Sequence, residues 1–261
     1  MKIIFWNLYN NENSKNVVSI INHYAIDIAI FAEHKALAIE RISQQLETYR
    51  YEPGLGGNDK IIAFHKENVE LAVHQEQSRY TLYTAKCDNI SFNIIGVHLE
   101  PQLHYTDNAR LLTLTDLAND IKNLEKQTKT ENTIVIGDFN TSPFAPEMVN
   151  KRALNGVLFK DLIISRQTDT YERKKYKRFY NPMMMHLSES ENEYGSFYYT
   201  NGIEVLHWYA FDQVLVRGTL VDAIKTLKYC NSTGDRKLVS ERGIPDKAIS
   251  DHLPLYVEVL I

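Results

Sequence analysis

Asp138 and Asn140 stand two residues apart at the end of an apolar run, Ile134-Val135-Ile136, in the stretch NTIVIGDFNTSPF. A short β-branched run bounded by polar residues predicts a buried strand. Residues two apart on a strand point the same way, so the carboxylate and the carboxamide would face one pocket while Phe139 turns back to the core. Such a pair can hold a water or a cation. Taken alone, the stretch reads equally well as a strand ending in an Asx-rich turn, with Pro143 as a further turn signal.

Other polar residues repeat the pattern. Asn7 follows the apolar IIFW, Glu33 follows IAIFA, and His98 follows NIIGV, each at a predicted strand end. Asp212 and the pair Asp251-His252 instead precede their strands, QVLV and LYVEV. If those two strands run antiparallel to the first group, six separated segments bring their polar residues to one edge. Each residue by itself has a plain structural reading: a turn for Asn7 or Asp251-His252, a solvated helix start for Glu33, a hydrogen-bonded core histidine for His98. Six such coincidences are much less probable than one shared site.

The elements that must position these residues can be read in outline. KIIFW and DIAIFA are strands separated by a helix that Ser14 could cap and that runs to about Tyr24, with another helix near Ala36 to Leu46. From Tyr49 to His98 come short β runs, KIIAFH, VELAVHQ, RYTLYTAKC and ISFNIIGVHL, which predict an antiparallel meander. Asp88-Asn89 supplies a turn, and Gly54 to Lys60 reads as a hairpin turn because its glycine spacing does not match a phosphate-cradling loop. Leu111, Leu114, Leu117, Ile121 and Leu124 recur at helical spacing and predict a helix from about Thr106 to Glu125. A short helix after Pro146 and the LFKDLI segment lead into an irregular region, about Ser165 to Trp208, whose length points to a functional loop. Three strands, FDQVLV, IKTLKYC and LPLYVEVLI, close the chain.

Composition sets the frame. The 261 residues are 44% hydrophobic and 24% charged, which suits a globular chain with a real core. No repeat, low-complexity tract or linker interrupts them, so the expectation is one α+β domain covering 1–261, two packed sheets with helices outside. A formal net charge of -4 argues weakly against non-specific polyanion binding and is silent about a local basic patch. Cys87 and Cys230 have no metal or redox spacing and are expected to be buried apolar residues, with no disulfide-linked partner. The N-terminal apolar run is too short for a signal peptide, and no stretch reaches the length of a membrane span, so a cytoplasmic protein is expected.

Trp6-Asn7, the glutamate of FAEH, Val97 to Leu99, GDFN at Gly137 to Asn140, FDQVLV and SDHLPL resemble, in order, the motifs of the endonuclease/exonuclease/phosphatase superfamily, the DNase I-like fold. GDFN together with SDH is the specific part, and the match runs from Asn7 to Leu255. The resemblance implies a four-layer αββα sandwich of two mainly antiparallel sheets. It also implies a phosphoesterase using Mg²⁺, with Mn²⁺ as the alternative ion: Glu33, Asn7 and Asp251 at the metal, Asp138 aligning or deprotonating water, and Asn140 holding it. Asp212 and His252 would pair, with His252 donating to a phosphoryl oxygen. His98, Asn140 and Arg110 would contact the substrate phosphate, although a solvated helix residue explains Arg110 as well. Tyr9 stands where many nucleases of this superfamily carry an acidic residue, which puts a second metal in doubt.

The substrate is less legible. WYAFDQ lacks the arginine that abasic-site endonucleases place before the later aspartate, which weakens that reading. YERKKYKRFYNP interleaves bases and rings, so Arg173, Lys174, Lys175, Lys177 and Arg178 could neutralise backbone phosphates while Tyr176 stacks on a base. A solvated charged loop is the competing reading. The leading expectation is a nuclease acting on DNA or RNA. The alternatives are a phosphatase or phosphodiesterase on a small-molecule or lipid phosphate ester, and a non-catalytic binding module.

Overall fold

The computed structural model describes residues 1–101, 107–189, 194–203 and 205–260. Strands β1 (Lys2–Asn7) and β2 (Ile28–Ala32) flank helix α1 (Ser14–Tyr24), and α2 (Ile39–Gln45), β3 (Tyr49–Glu52) and β4 (Ile61–Lys66) follow. Next come β5 (Glu70–Gln77), β6 (Tyr80–Cys87), β7 (Ile90–His98), the long α3 (Asp107–Thr128) and β8 (Thr133–Asp138). A region of short elements holds α4 (Pro146–Val149), β9 (Gly156–Val157), α5 (Lys160–Ser165), β10 (Thr168–Tyr171), β11 (Lys174–Lys177) and β12 (Phe179–Tyr180). It continues with α6 (Met183–Glu189), β13 (Phe197–Tyr198) and β14 (Trp208–Tyr209), and the chain ends with β15 (Asp212–Val216), β16 (Ile224–Tyr229) and β17 (Leu255–Val259).

Two large sheets organise these strands. The first runs β16-β17-β1-β2-β4-β3 and the second β5-β6-β7-β8-β15-β12-β9. The pairs β1–β2 and β7–β8 are parallel, each made by a helical crossover, and most other pairs are antiparallel. Period-two alternation in β8 divides its side chains between two cores: Ile134 and Ile136 point between the sheets, while Val135 joins the outer layer under α3 with Leu114, Leu117, Ile121 and Leu124. At Gly96 the sheets approach so closely that a Cβ would lie 3.1 Å from Ile30 Cγ2 and 3.2 Å from Ile61 Cγ2. The result is the four-layer αββα sandwich.

Several expectations change in detail. KIIAFH does not continue the meander: β4 pairs with β2 and β3 in the first sheet, while β5, β6 and β7 form the second. Its residues Ile61 to His65 are all buried, as a strand covered on both faces must be, whereas β5 alternates. Ser14 is the first residue of α1 and does not cap it; Asn13 holds that position, and the Ser14 hydroxyl bonds Glu12. The expected start of the long helix at Thr106 lies outside the described residues, and α3 runs three residues past Glu125. Ser165 to Trp208 is not one irregular loop, since it carries two hairpins and a helix whose strands, two to four residues long, are too short to show a period. Cys87 and Cys230 are buried and not joined in a disulfide.

Candidate active site

The strand registers force a convergence at one edge. Parallel β7 and β8 end together with His98 opposite Asp138, and antiparallel β15 begins there with Asp212 opposite the same Asp138. In the first sheet β1 and β2 end together with Asn7 opposite Ala32, one residue before Glu33. Leu255 of antiparallel β17 faces Phe5, so Asp251 and His252 overhang the same edge. Gly137 lets β8 come this close to β7, because a Cβ there would sit 2.1 Å from the Val97 carbonyl oxygen.

Hydrogen bonds join the two sheets across the edge. Asn7 Nδ2 donates to Glu33 Oε1 at 3.1 Å and to Asp138 Oδ2 at 3.0 Å. The ring of His98 reaches the same two carboxylates, with Nε2 3.4 Å from Glu33 Oε1 and 4.0 Å from Asp138 Oδ2. His252 Nδ1 lies 2.7 Å from Asp212 Oδ2, which leaves its Nε2 facing Asp138 Oδ2 at 3.9 Å and Asp251 Oδ1 at 4.0 Å. Asn140 takes a left-handed backbone (φ 50°), its N–H donates to Asp138 Oδ1 at 2.8 Å, and its Nδ2 donates to the Leu99 carbonyl at 3.0 Å. All eight candidate catalytic and metal residues are thus linked by distances of 4.0 Å or less: Asn7, Glu33, His98, Asp138, Asp212, Asp251 and His252 through their side chains, and Asn140 through its backbone N–H to Asp138.

Burial and charge tune these groups against one another. Burial pushes the Asp138 carboxyl up, and the carboxylate of Asp212 adds to this against the opposing pull of the histidines. Asp251 is likewise raised, chiefly by burial. Glu33 goes the other way: burial alone would raise it, but hydrogen bonds from His98 and Asn7 hold it below the ordinary range. For His252 burial would favour the neutral ring, yet the carboxylates of Asp212 and Asp138 outweigh it and lift the imidazole to about 10. His252 is therefore an imidazolium, tethered at Nδ1 and presenting an N–H at Nε2.

Three buried polar atoms at this edge have no hydrogen-bond partner among the described residues: His98 Nδ1, Asp212 Oδ1 and Asp251 Oδ1. Native structures rarely leave such atoms unmatched. Asp138, Asp212 and His252 each offer a ligand atom, all within 4.8 Å of one another, so a buried Asp–Asp–His group that could hold a metal is present. The donor chemistry favours a neighbouring arrangement for a hard ion. Mg²⁺ takes oxygen ligands and keeps several waters, whereas Asp138 and Asp212 are almost wholly buried and His252 Nδ1 is committed to Asp212. Glu33, with 27% of its side chain exposed, and Asp251 offer carboxylates at the open side of the same edge. Tyr9, the residue in place of an acidic one, is 46% exposed and its N–H donates to Asn7 Oδ1.

Several supports carried no signal strong enough to be singled out in the sequence. Ser250 donates to the Asn7 carbonyl at 2.6 Å and accepts from the His252 N–H at 3.0 Å, which locks SDH onto β1. Asn10 Nδ2 donates to Glu33 Oε2, Trp6 Nε1 to the His252 carbonyl, and the Tyr229 hydroxyl to the Asp212 carbonyl. The ring of Phe197 packs on His252 with centroids 4.9 Å apart, and Phe211 stacks on Phe197 at 5.4 Å. Ser250 lies inside a recognised motif and was within reach of sequence reasoning. Phe197 is 55 positions from His252, and nothing local announces the contact.

Two groups of expected residues are placed elsewhere. Arg110 is buried, with Nε donating to Glu147 Oε1 at 3.1 Å, and Thr141 Oγ1 donates to the same oxygen at 2.9 Å. It braces the loop after Asn140; the helical period tells which face a residue occupies but not what that face meets. In the basic segment, Arg178 forks onto Asp169 at 2.7 and 2.9 Å, and Lys177 pairs with Glu125 and Glu131 at 3.0 and 2.8 Å. Arg173, Lys174 and Lys175 are exposed and Tyr176 is half-buried on the β10–β11 hairpin, which pairs only with itself. None of these joins the cluster through a described hydrogen bond or ion pair.

Solved structures repeat this architecture at low identity. A mannosyl-6-phosphatase from Bacteroides thetaiotaomicron superposes with a TM-score of 0.64 over 100% of both chains at 16% identity. TDP2 from D. rerio, complexed with single-strand DNA product, gives 0.61 over 98% of this chain and 97% of that one at 14% identity. The endonuclease domain of TRAS1, a telomere-specific non-LTR retrotransposon, gives 0.56 over 100% and 98% at 13% identity. No curated protein sequence matches. A profile of the Endonuclease/Exonuclease/phosphatase family matches residues 4–252, nearly the whole length, and the chain belongs to that family.

Proposed function

We propose that this protein is a single-domain, divalent-metal-dependent phosphodiester hydrolase acting on nucleic acid, in a reducing cytoplasm that suits its two buried thiols. The observation that carries the reading is the convergence of Asn7, Glu33, His98, Asp138, Asp212, Asp251 and His252 at one edge, with a tethered imidazolium beside a raised carboxyl. Glu33 and Asp251, oriented by Asn7, would hold Mg²⁺ or Mn²⁺, which when bound stabilises negative charge on phosphoryl and leaving oxygens. Asp138, with basicity increased by burial, takes a proton from the attacking water. Asn140 commits its Nδ2 to Leu99 and keeps Oδ1 to accept a hydrogen bond from that water. As the water oxygen bonds to phosphorus and the ester P–O bond breaks, His252 Nε2 donates to a phosphoryl oxygen and His98 assists at the phosphate or the leaving oxygen.

A diester fits this cluster better than a monoester. No described hydrogen bond or ion pair brings a lysine or arginine to the seven residues, and the positive charge near them is that of His252 with Lys247 acting on Asp251, so the second negative charge of a monoester would meet four carboxyl groups with little to offset it. The wall formed by Phe197 and Phe211 beside His252 suits a ring flanking the phosphate, as a nucleotide provides. The full-length similarity to a mannosyl-6-phosphatase supports a second reading, a small phosphate ester. The test is an assay on single- and double-stranded DNA, RNA, bis-p-nitrophenyl phosphate and p-nitrophenyl phosphate, with Mg²⁺, Mn²⁺ or EDTA, beside an Asp138→Asn, His252→Ala double variant. Metal-dependent polymer cleavage that the variant lacks is the expected result. Turnover of the monoester alone would transfer the assignment to a phosphatase, and no turnover of anything would leave a binding module.

A further inference from the structure

On the outer face of the second sheet, away from the candidate active site, a groove of about 790 Å³ runs between α3 and the β10–β11 hairpin. Lys122 of α3, Lys151 and Arg152 after α4, and Lys174, Lys175 and Lys177 of the hairpin line it, and all six are exposed. Four of them, Lys122, Lys151, Lys174 and Lys175, enter no ion pair among the described residues. Arg152 and Lys177 share theirs with Glu172, Glu125 and Glu131 at the rim and floor. Among the described residues, Glu125 is the one acidic residue lining the groove, and it is already bound by Arg217 at 2.8 Å. A chain of net charge -4 has thus gathered positive charge in one channel.

The place of the groove is fixed by β8. Glu125 accepts from Thr133, the first residue of β8, while Asp138 is its last. At about 3.3 Å per residue the two ends are roughly 17 Å apart. The groove shares no lining residue with the reacting centre and lies toward the opposite end of β8 from it. Rings accompany the charges: Tyr176 lines the groove, and the Arg152 guanidinium lies 5.7 Å from the ring centre of Tyr171. Cations along a channel with interleaved rings are the features that hold a single strand by its backbone and stack its bases.

We infer that this groove is a second binding site, for a phosphodiester strand, separate from the hydrolytic edge, which holds polymeric nucleic acid on the enzyme. The inference rests on the nuclease reading above but is tested apart from it. Binding of a fluorescent single strand of about 20 nucleotides is followed by anisotropy in EDTA across a salt series, for the wild-type protein and for Lys151→Glu/Lys174→Glu/Lys175→Glu. The alanine triple at the same positions serves as the milder variant, and unfolding curves check that both fold.

The expected result is binding about tenfold weaker or more in the charge-reversed protein, with the alanine triple between, and a log–log salt slope smaller by about 2, since each lost phosphate contact removes about 0.7. Equal affinity in all three proteins overturns the inference, and so does displacement of the strand by polyglutamate as readily as by unlabelled oligonucleotide. Hydrolysis of bis-p-nitrophenyl phosphate by the wild-type protein, measured separately, tests the catalytic reading: turnover with variant-independent binding loses only the groove, and groove-dependent binding without turnover loses only the nuclease.

Discussion

The two ends of β8 hold buried charge in opposite ways. At the Thr133 end, both oxygens of Glu125 are used: Oε1 accepts from Arg217 Nε at 2.8 Å and Thr133 Oγ1 at 3.0 Å, and Oε2 accepts from Lys177 Nζ at 3.0 Å. Arg217 also donates to the carbonyls of Lys177 and Arg178 and lies 3.7 Å from the ring centre of Phe179. At the Asp138 end, four carboxylates crowd two imidazoles, and His98, Asp212 and Asp251 each keep one buried atom unmatched. One strand thus carries a buried carboxylate whose two oxygens are both used, which orders the fold, and a cluster whose ionisable groups keep open positions that a substrate and a cation would complete. Both ends are buried and ionic, and Asn93 Oδ1 beside Thr133 is also unmatched, so neither burial of charge nor a single unmatched atom marks a site; three unmatched ionisable groups gathered at one edge do.

The contrast predicts that damage at one end costs rate and at the other costs stability. Asp212→Asn leaves the imidazole of His252 without its carboxylate, and phosphodiester hydrolysis should fall on the order of 10²–10⁴-fold, measured as kcat/KM on a model diester with metal saturating. Arg217→Ala leaves the buried Glu125 with only Lys177 and Thr133 as partners, which should cost about 2–4 kcal/mol and lower the thermal midpoint by roughly 5–15 °C, with hydrolysis per folded molecule unchanged. A rate loss in the folded Arg217 variant would break the comparison.

Acid sharpens the satisfied end. Burial would raise the Glu125 carboxyl, but Arg217 and Lys177 hold it below the ordinary carboxylate range. A carboxyl depressed in the folded state contributes stability that is present above its unfolded value of about 4.3 and is lost as pH falls through the lower folded value. Thermal midpoints taken from neutral pH down to that range should therefore fall further for wild type than for Glu125→Gln, and parallel curves would contradict the network. The smallest effect belongs to the exposed Arg152–Glu172 pair, where Glu172→Gln should leave the thermal midpoint unchanged, because solvent screens the pair.

Much of the candidate site is legible in the sequence because it depends on strand ends. Apolar runs located β1, β2, β7, β8 and β15, and the reversal between residues that follow a strand and residues that precede one anticipated the antiparallel pairing of Asp212 with Asp138. The rest is what periodicity does not encode. KIIAFH looks like its neighbours in sequence, and only burial on both faces shows that it belongs to the first sheet. Arg110 lies at the start of a helix whose leucines identify the packed face, yet its bond to Glu147 spans 37 positions. Lys174 and Lys175 stand out in the sequence as candidate contacts to backbone phosphates, but the residues that line a groove with them, Lys122 and Lys151, come from other elements, so the channel exists only after folding. Phe197 reaches His252 through an isolated bridge between distant segments, a contact with no local pattern.

The claim that the incompletely partnered end of β8 is the hydrolytic centre is tested most directly by Asp138→Asn, with bis-p-nitrophenyl phosphate turnover in Mg²⁺ and the thermal midpoint measured on the same preparation. Hydrolysis should fall on the order of 10²–10⁴-fold while the midpoint moves by less than about 4 °C. Undiminished hydrolysis by the folded variant would contradict the account and place the chemistry elsewhere.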